Sequence, residues 1–66
     1  MDIKKSIRIV AAIQDLNQEE IAERTGLSKA TVSQLINGKT NCTQATLEKL
    51  LKGFGLSASE FFKYGE

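Results

Sequence analysis

Glycine residues limit what this chain can fold into more than any other feature of its sequence. Proline is absent, and Gly26, Gly38, Gly53, Gly55 and Gly65 divide the chain into short pieces of helical length. The alternation of apolar and polar residues that is typical of a strand does not persist between the glycines. The pieces predict an all-α fold: a compact bundle of five short helices in a single domain over residues 1–66.

Capping residues and apolar spacing predict where the helices begin and end. Asn17 with Glu20 and Ser57 with Glu60 have the spacing of capping boxes. Ser28 is a further candidate N-cap, and a left-handed residue at Asn37-Gly38 is expected to end the helix that follows it. The first three predicted helices run from Ile3 to Asp15, from Asn17 to Thr25 and from Lys29 to Ile36. The fourth contains Leu47 to Phe54 and is expected to end at Gly53 and Gly55, and the last runs from Ser57 through Phe61 and Phe62.

Apolar residues on the first and fourth predicted helices supply most of the candidate core. On the fourth helix they recur at i, i+3, i+4 and i+7, and on the first they form two adjacent stripes. These residues are Leu47, Leu50, Leu51 and Phe54 on the fourth helix, and Ile3, Ile7 and Val10 beside Ile9, Ile13 and Leu16 on the first. The aromatic residues of the last helix, Phe61, Phe62 and Tyr64, are expected in core or dimer contacts.

The residue types that are missing exclude several kinds of chemistry. The chain has no histidine and one cysteine, Cys42, which leaves no zinc cluster, disulfide pair or histidine-based catalytic dyad. We therefore expect no enzyme activity, no metal, no cofactor and no small-molecule ligand, and we expect the lone loop cysteine to be incidental. A membrane span needs roughly 18 apolar residues, and neither such a run nor a secretion signal is evident, so a cytoplasmic location is expected.

Charge is distributed unevenly along the chain. The formal net charge is only +1, from nine basic and eight acidic residues. Between Glu23 and Glu48, however, lie Arg24, Lys29 and Lys39 without an acidic residue, so this stretch carries +3 and the remainder −2. A basic stretch is consistent with a nucleic-acid partner, although fluctuations of this size are common in any sequence.

The segment from Gln18 to Leu35 has a spacing that a generic two-helix hairpin does not require. A small residue is expected at Ala22, where the following helix crosses closely, and Gly26 permits a positive φ in a tight turn. The inner face of the third predicted helix points into the core, which leaves the outer face of that helix free. Six residues make this pattern: Ile21, Ala22, Gly26, Leu27, Val32 and Leu35. Counted from Gln18, they are residues four, five, nine, ten, fifteen and eighteen.

This segment resembles the helix-turn-helix of the lambda-repressor and Cro-like family, often called the XRE family. The stretches from Asn17 to Ala22, from Ser33 to Leu35, from Asn37 to Lys39 and from Leu47 to Phe62 are also similar to that family, so nearly the whole chain is covered. The resemblance implies a sequence-specific transcriptional regulator of double-stranded DNA, with the third helix in the major groove. The alternative is a protein-interaction module, such as an antitoxin that masks a partner protein.

The resemblance also implies roles for individual residues. The outward side of the third helix supplies the candidate base contacts, Lys29, Ala30, Ser33 and Gln34. The start of the second helix, the third helix and the loop after it supply the candidate phosphate contacts, Asn17, Gln18, Thr31, Asn37, Lys39 and Thr40. A homodimer on DNA is expected to form through Leu56, Ala58, Ser59 and Phe62, although Leu56 and Phe62 could instead belong wholly to the core.

Two positions depart from the family pattern. Many relatives pair an arginine in the first helix with a glutamate immediately after the position of Leu35, whereas this chain has Ala11 and Ile36 there. Loss of both charges together avoids an uncompensated charge in a partly buried site. An apolar contact between Ala11 and Ile36 is predicted, the alternative being that Ile36 is exposed and serves a partner.

Overall fold

Every helix begins at a side chain that caps its first turn. The computed structural model describes residues 2–66. The N-caps are Asp2, Asn17, Ser28, Thr43 and Ser57, and each accepts a hydrogen bond from the backbone N–H three residues later. The helices are α1 (Ile3–Gln14), α2 (Gln18–Thr25), α3 (Lys29–Ile36), α4 (Gln44–Phe54) and α5 (Ala58–Tyr64). Residues 2–66 contain no strand, and the predicted all-α fold with five short helices is confirmed.

Two predicted helix ends differ from the structure. α1 ends one residue early, because Asp15 adopts a left-handed φ of 54° and donates its backbone N–H to the carbonyls of Ala11 and Ala12. α4 ends at Phe54, and only Gly55 is its left-handed cap. The prediction that Gly53 also ends this helix is wrong, because Gly53 lies within α4.

The core draws one or two apolar side chains from each helix. All of them are at most 5% exposed: Ile7, Val10, Ile21, Val32, Leu35, Leu50, Phe54 and Phe61. Phe54 and Phe61 stack with their ring centroids 6.3 Å apart, which joins α4 to α5. α1 packs against α3 and α5, whereas α2 packs against α3 and α4. The α2–α3 pair is therefore supported from both sides by the other helices.

The two predicted apolar stripes of α1 are buried to different extents, and Leu16 of the second stripe packs against the core at its edge. Ile7 and Val10 are buried, whereas Ile13 is 62% exposed. The buried stripe continues to Gln14, whose side-chain amide donates to the carbonyl of Phe54 at 2.9 Å. Because successive helical residues are about 100° apart, Ile13 lies beyond the edge of the buried face when Gln14 faces α4.

The two ends of the described chain meet. The backbone N–H of Asp2 donates to the carbonyl of Gly65 at 3.2 Å, and the Lys5 ammonium donates to the carbonyl of Glu66 at 2.8 Å. A Cβ on Gly65 would lie 2.7 Å from the Asp2 carbonyl oxygen, so only glycine fits without a shift of the backbone. Along residues 2–66, no helix is long and apolar enough to cross a membrane.

Candidate nucleic-acid interface

The turn between α2 and α3 is closed by its own polar groups. The buried Thr25 hydroxyl donates to the carbonyl of Ile21 at 2.7 Å and accepts from the backbone N–H of Leu27 at 3.3 Å. Gly26, with φ +75°, donates its N–H to the carbonyl of Ala22 at 3.0 Å. These bonds satisfy the backbone where the chain changes direction, so the angle between α2 and α3 is well determined.

Gly53 supports this turn from behind. A Cβ built on Gly53 would lie 2.6 Å from Thr25 Cγ2 and 2.9 Å from the backbone oxygen of Arg24. The missing side chain lets α4 approach the last turn of α2 directly. Gly53 therefore helps to position the helix pair, a role that the sequence analysis missed. The available signal was a glycine inside an otherwise helical pattern, which often marks close packing.

The outer face of α3 is mostly exposed. Val32 and Leu35 are 1% and 3% exposed and point into the core. Lys29, Ala30 and Gln34 are exposed, and Ser33 is half-buried. Helix geometry places Ala30, Ser33 and Gln34 on the side of α3 opposite its buried stripe, with Lys29 at the edge of that side.

Ser33 and Asn37 are brought together by a local hydrogen bond. The Asn37 side-chain amide donates to the Ser33 carbonyl at 2.9 Å and approaches the Ser33 hydroxyl oxygen at 3.4 Å. Asn37 thus helps to cap the C-terminus of α3. The Asn37 backbone N–H also donates to the Ser33 carbonyl, at 3.0 Å, so a phosphate contact at Asn37 would use its remaining side-chain N–H.

The N-terminus of α2 presents unpaired first-turn amides. Asn17 and Glu20 form the predicted capping box: the Glu20 N–H donates to Asn17 Oδ1 at 2.8 Å, and the Asn17 N–H donates to Glu20 Oε1 at 3.1 Å. The first four N–H groups of a helix have no intrahelical partner, and the box uses those of the cap and of the third residue. The amides of Gln18 and Glu19 are therefore the ones directed outward, beside the half-buried Gln18 side chain.

The other candidate phosphate contacts lie at the two ends of α3. At its N-terminus the Ser28 hydroxyl donates to the Thr31 hydroxyl at 2.8 Å, which holds the half-buried Thr31 against its cap. At its C-terminus Gly38 has φ +70°, and the N–H of Lys39 donates to the carbonyl of Gln34 at 2.9 Å. The side chains of Lys39 and Thr40 are exposed beyond this turn.

Comparison with known proteins identifies the family. A helix-turn-helix family model matches residues 7–61. The chain belongs to the helix-turn-helix family. The resemblance inferred from the Gln18 to Leu35 spacing is thereby confirmed.

Relatives of this helix-turn-helix chain are named as regulators. It is 35% identical over 66 residues to the competence pilus inhibition repressor of Acinetobacter baylyi, covering 100% of this chain and 60% of that one. It is 43% identical over 53 residues to the HTH-type transcriptional regulator PuuR of Escherichia coli, covering 80% and 29%. It is 40% identical over 48 residues to the control protein C.MunI of a Mycoplasma species, covering 73% and 65%. The chain spans less than two thirds of the length of each of these relatives.

A solved structure shares the fold. The wild-type restriction-modification controller protein C.Esp1396I superposes with a TM-score of 0.88, covering 96% of this chain and 81% of that chain at 24% sequence identity. The five-helix arrangement of this chain is therefore shared with a solved structure.

The predicted dimer residues of this helix-turn-helix chain lie just before α5 and along it. Ala58 and Ser59 are exposed, whereas Leu56 and Phe62 are half-buried and pack against the core. Leu56 and Phe62 thus contribute to the fold and still present part of their apolar surface.

Ala11, Ile36 and Cys42 share the half-buried boundary of the core. Ala11 on α1 and Ile36 on α3 both pack against the core cluster, and these two helices contact each other. Ile36 is thus not fully exposed. Burial raises the pKa of the Cys42 thiol, which favours the protonated, less reactive form.

Proposed function

We propose that this helix-turn-helix chain is a sequence-specific transcriptional regulator of the Cro or repressor type that places α3 in the major groove of double-stranded DNA. The outer face of α3 carries the proposal: Val32 and Leu35 are buried, and the opposite side exposes Lys29, Ala30 and Gln34. Relatives named as transcriptional regulators and as a repressor support it.

Base recognition would use the exposed chemistry of α3. Lys29 can donate to guanine O6 and N7, and Gln34 can form a bidentate pair with adenine. Ala30 can contact a thymine methyl group, and the Ser33 hydroxyl can either donate or accept. Together these amide, hydroxyl, methyl and ammonium groups offer donors, acceptors and an apolar contact to base edges.

Phosphate contacts would hold α3 in register with the DNA. The outward amides of Gln18 and Glu19, with the Gln18 side chain, form one donor group at the positive end of the α2 dipole. Lys39, Thr40 and Asn37 form a second group after α3. Asn17, the N-cap of α2, and Thr31, in the first turn of α3, complete the set.

The chain would bind a palindromic operator as a homodimer. One domain of this kind covers only about 600–1,000 Å² of interface, and the formal net charge of +1 gives little long-range attraction to phosphates. Two α3 helices on one face of DNA must lie roughly 34–36 Å apart. The start of α5, with Leu56, Ala58, Ser59 and Phe62, supplies the proposed contact between the two copies.

Selection from random double-stranded DNA, followed by a gel shift on the selected site, tests the DNA-binding proposal. We expect an enriched sequence with twofold symmetry and half-sites about one helical turn apart. Failure to enrich any sequence would contradict the proposal. If a pull-down from the native source then recovered one stoichiometric protein partner, the antitoxin-like alternative would replace it.

A charge placed at the start of α5 tests the dimer surface. Ala58→Glu should leave the thermal melt unchanged, because Ala58 is exposed, and should reduce cooperative binding to the palindrome toward single-half-site affinity. Ala12→Glu is the matched control, since Ala12 is an exposed alanine on α1. Loss of cooperativity in Ala12→Glu alone would move the dimer surface to α1.

A further inference from the structure

The start of α1 packs on the loop that follows α3. Lys4 is half-buried, and its Cδ lies 3.3 Å from the point that a Cβ on Gly38 would occupy. Its Nζ lies 4.0 Å from the same point. The aliphatic part of Lys4 thus covers a glycine backbone, and its ammonium group lies beside the loop that carries Lys39 and Thr40.

An open cavity of about 300 Å³ lies at this junction. Its polar lining is Asp2, Lys4, Thr40 and Asn41, beside Gly38 and the side chains of less polar residues. Lys4, Thr40 and Asn41 carry side-chain donors, which is the chemistry that an oxyanion requires. The cavity lies next to the proposed phosphate contacts Lys39 and Thr40 but receives its charged side chain from a different helix.

Lys4 and Lys5 are adjacent in sequence but have different surroundings. The Lys5 ammonium donates to the carbonyl of Glu66 at 2.8 Å, at the end of the chain beyond α5. Lys4 instead contacts the loop after α3. The nearby Asp2 carboxylate is used as the N-cap of α1, where it accepts from the Lys5 N–H at 3.1 Å.

We propose that Lys4 is a further DNA-phosphate contact, by which α1 and the loop after α3 hold one phosphodiester group between them. This inference rests on the proposed function. A lysine side chain loses rotamer freedom when it binds, and packing against Gly38 has already restricted Lys4. Lys4 therefore adds a charge to the basic stretch from Arg24 to Lys39 although it lies far from that stretch in sequence.

The salt dependence of binding tests this contact. Binding to the selected site is measured against KCl concentration for the full chain and for Lys4→Gln, Lys5→Gln and Lys39→Gln. Each variant loses one positive charge, so non-specific electrostatic effects are matched. The slope of log Kobs against log [KCl] should become shallower by about 0.9 in Lys4→Gln and in Lys39→Gln, and should stay unchanged in Lys5→Gln.

Two further measurements separate a phosphate contact from other roles. Lys4→Arg should retain the wild-type slope, and the sequence preference of Lys4→Gln should stay unchanged in random-site selection, since phosphate contacts carry little sequence information. Equal slopes for Lys4→Gln and Lys5→Gln would overturn the inference while leaving DNA binding intact. Absence of salt-dependent binding in the wild-type chain would overturn the proposed function itself, and the Lys4 contact with it.

Discussion

α3 and α4 are built by the same local rules and present different surfaces. Each begins at a hydroxyl N-cap, Ser28 or Thr43, that accepts from the third amide after it. Each also buries one stripe in the shared core, through Val32 and Leu35 in α3 and through Leu50 and Phe54 in α4. Capping and apolar spacing therefore account for both helices without reference to function.

The difference lies on their outer faces. α4 exposes an amide and a methyl group, at Gln44 and Ala45, and also the carboxylate of Glu48. α3 exposes no acidic residue, and beside Lys29 it carries the methyl group of Ala30 and the amide of Gln34. Both faces offer groups that base edges can accept, but DNA phosphates repel a carboxylate, so the α3 face, which has none, suits a DNA partner better than the α4 face with Glu48. In this fold, function is therefore indicated by the composition of the outward face.

The largest effect is expected from the buried face of α4. Leu50 is fully buried, so Leu50→Ala should lower the free energy of unfolding by about 2–5 kcal/mol through lost burial and a residual cavity. The exposed Lys49→Ala should change it by less than about 0.5 kcal/mol. Urea unfolding followed by circular dichroism measures both. A change below about 1 kcal/mol in Leu50→Ala would contradict the assigned core.

Replacing Gly53 with alanine should change the free energy of unfolding in the opposite direction from the same replacement in an exposed helix. In an exposed helix interior, Gly→Ala stabilises by about 1 kcal/mol. At Gly53 the added methyl would meet Thr25 and the Arg24 backbone, so Gly53→Ala should destabilise by about 1–3 kcal/mol. Urea unfolding measures this change, with Lys52→Ala as the control on the same helix. Stabilisation by Gly53→Ala would show that α4 does not closely support the α2–α3 turn.

Gly53 also shows where sequence reasoning stops. The capping boxes, the left-handed Gly38 and the buried stripes were predictable because each depends on residues within about one or two turns. The contact of Gly53 with Thr25 joins distant parts of the chain, and no local pattern specifies it. The exposure of Ile13 has the same origin, since the packing partners of α1 determine which of its two stripes is buried.

In the candidate site, too, some features could be predicted from local sequence and others depend on contacts between distant segments. The outward residues of α3 followed from the positions of Val32 and Leu35, because helix geometry places them on the opposite side. The bond between Asn37 and the carbonyl of Ser33 did not follow, because an asparagine after a helix can bond to several neighbours. The position of Lys4 beside Gly38 depends on tertiary packing and could not be predicted from either segment alone.

On the outer face of α3, Gln34→Ala should separate recognition from stability. Loss of the two hydrogen bonds from the Gln34 amide to one base should weaken binding to the selected site by about 1–3 kcal/mol. It should also relax the base preference at that position. Because Gln34 is exposed, the free energy of unfolding should change by less than about 0.5 kcal/mol. Lys52→Ala on the outer face of α4 is the control for binding. An unchanged selected half-site would mean that α3 is in a different register on the DNA.

The smallest effect on stability is expected at Ile36, which lies on α3 between its exposed face and its buried stripe. Ile36 is half-buried and packs against the core, as does Ala11 on the neighbouring α1. Ile36→Glu should therefore destabilise the fold, because it brings a carboxylate to a partly buried site that packs against apolar side chains. Adding Ala11→Arg should recover part of the loss, with a coupling free energy of about 0.5–3 kcal/mol if the two side chains touch.

Thermal melts of the four variants complete this cycle, and a second cycle controls it. Gln34 lies on the exposed side of α3, so Gln34→Glu combined with Ala11→Arg changes the same charges without a contact. The coupling in this control cycle should be close to zero, because exposed charges that do not touch are largely screened. Additive effects in the Ile36 cycle would show that Ala11 and Ile36 do not touch, and the contact between α1 and α3 would then depend on other residues. Coupling in both cycles would instead indicate a long-range charge effect. Added salt should weaken the coupling of the exposed Gln34 pair at a lower concentration than that of the partly buried Ile36 pair.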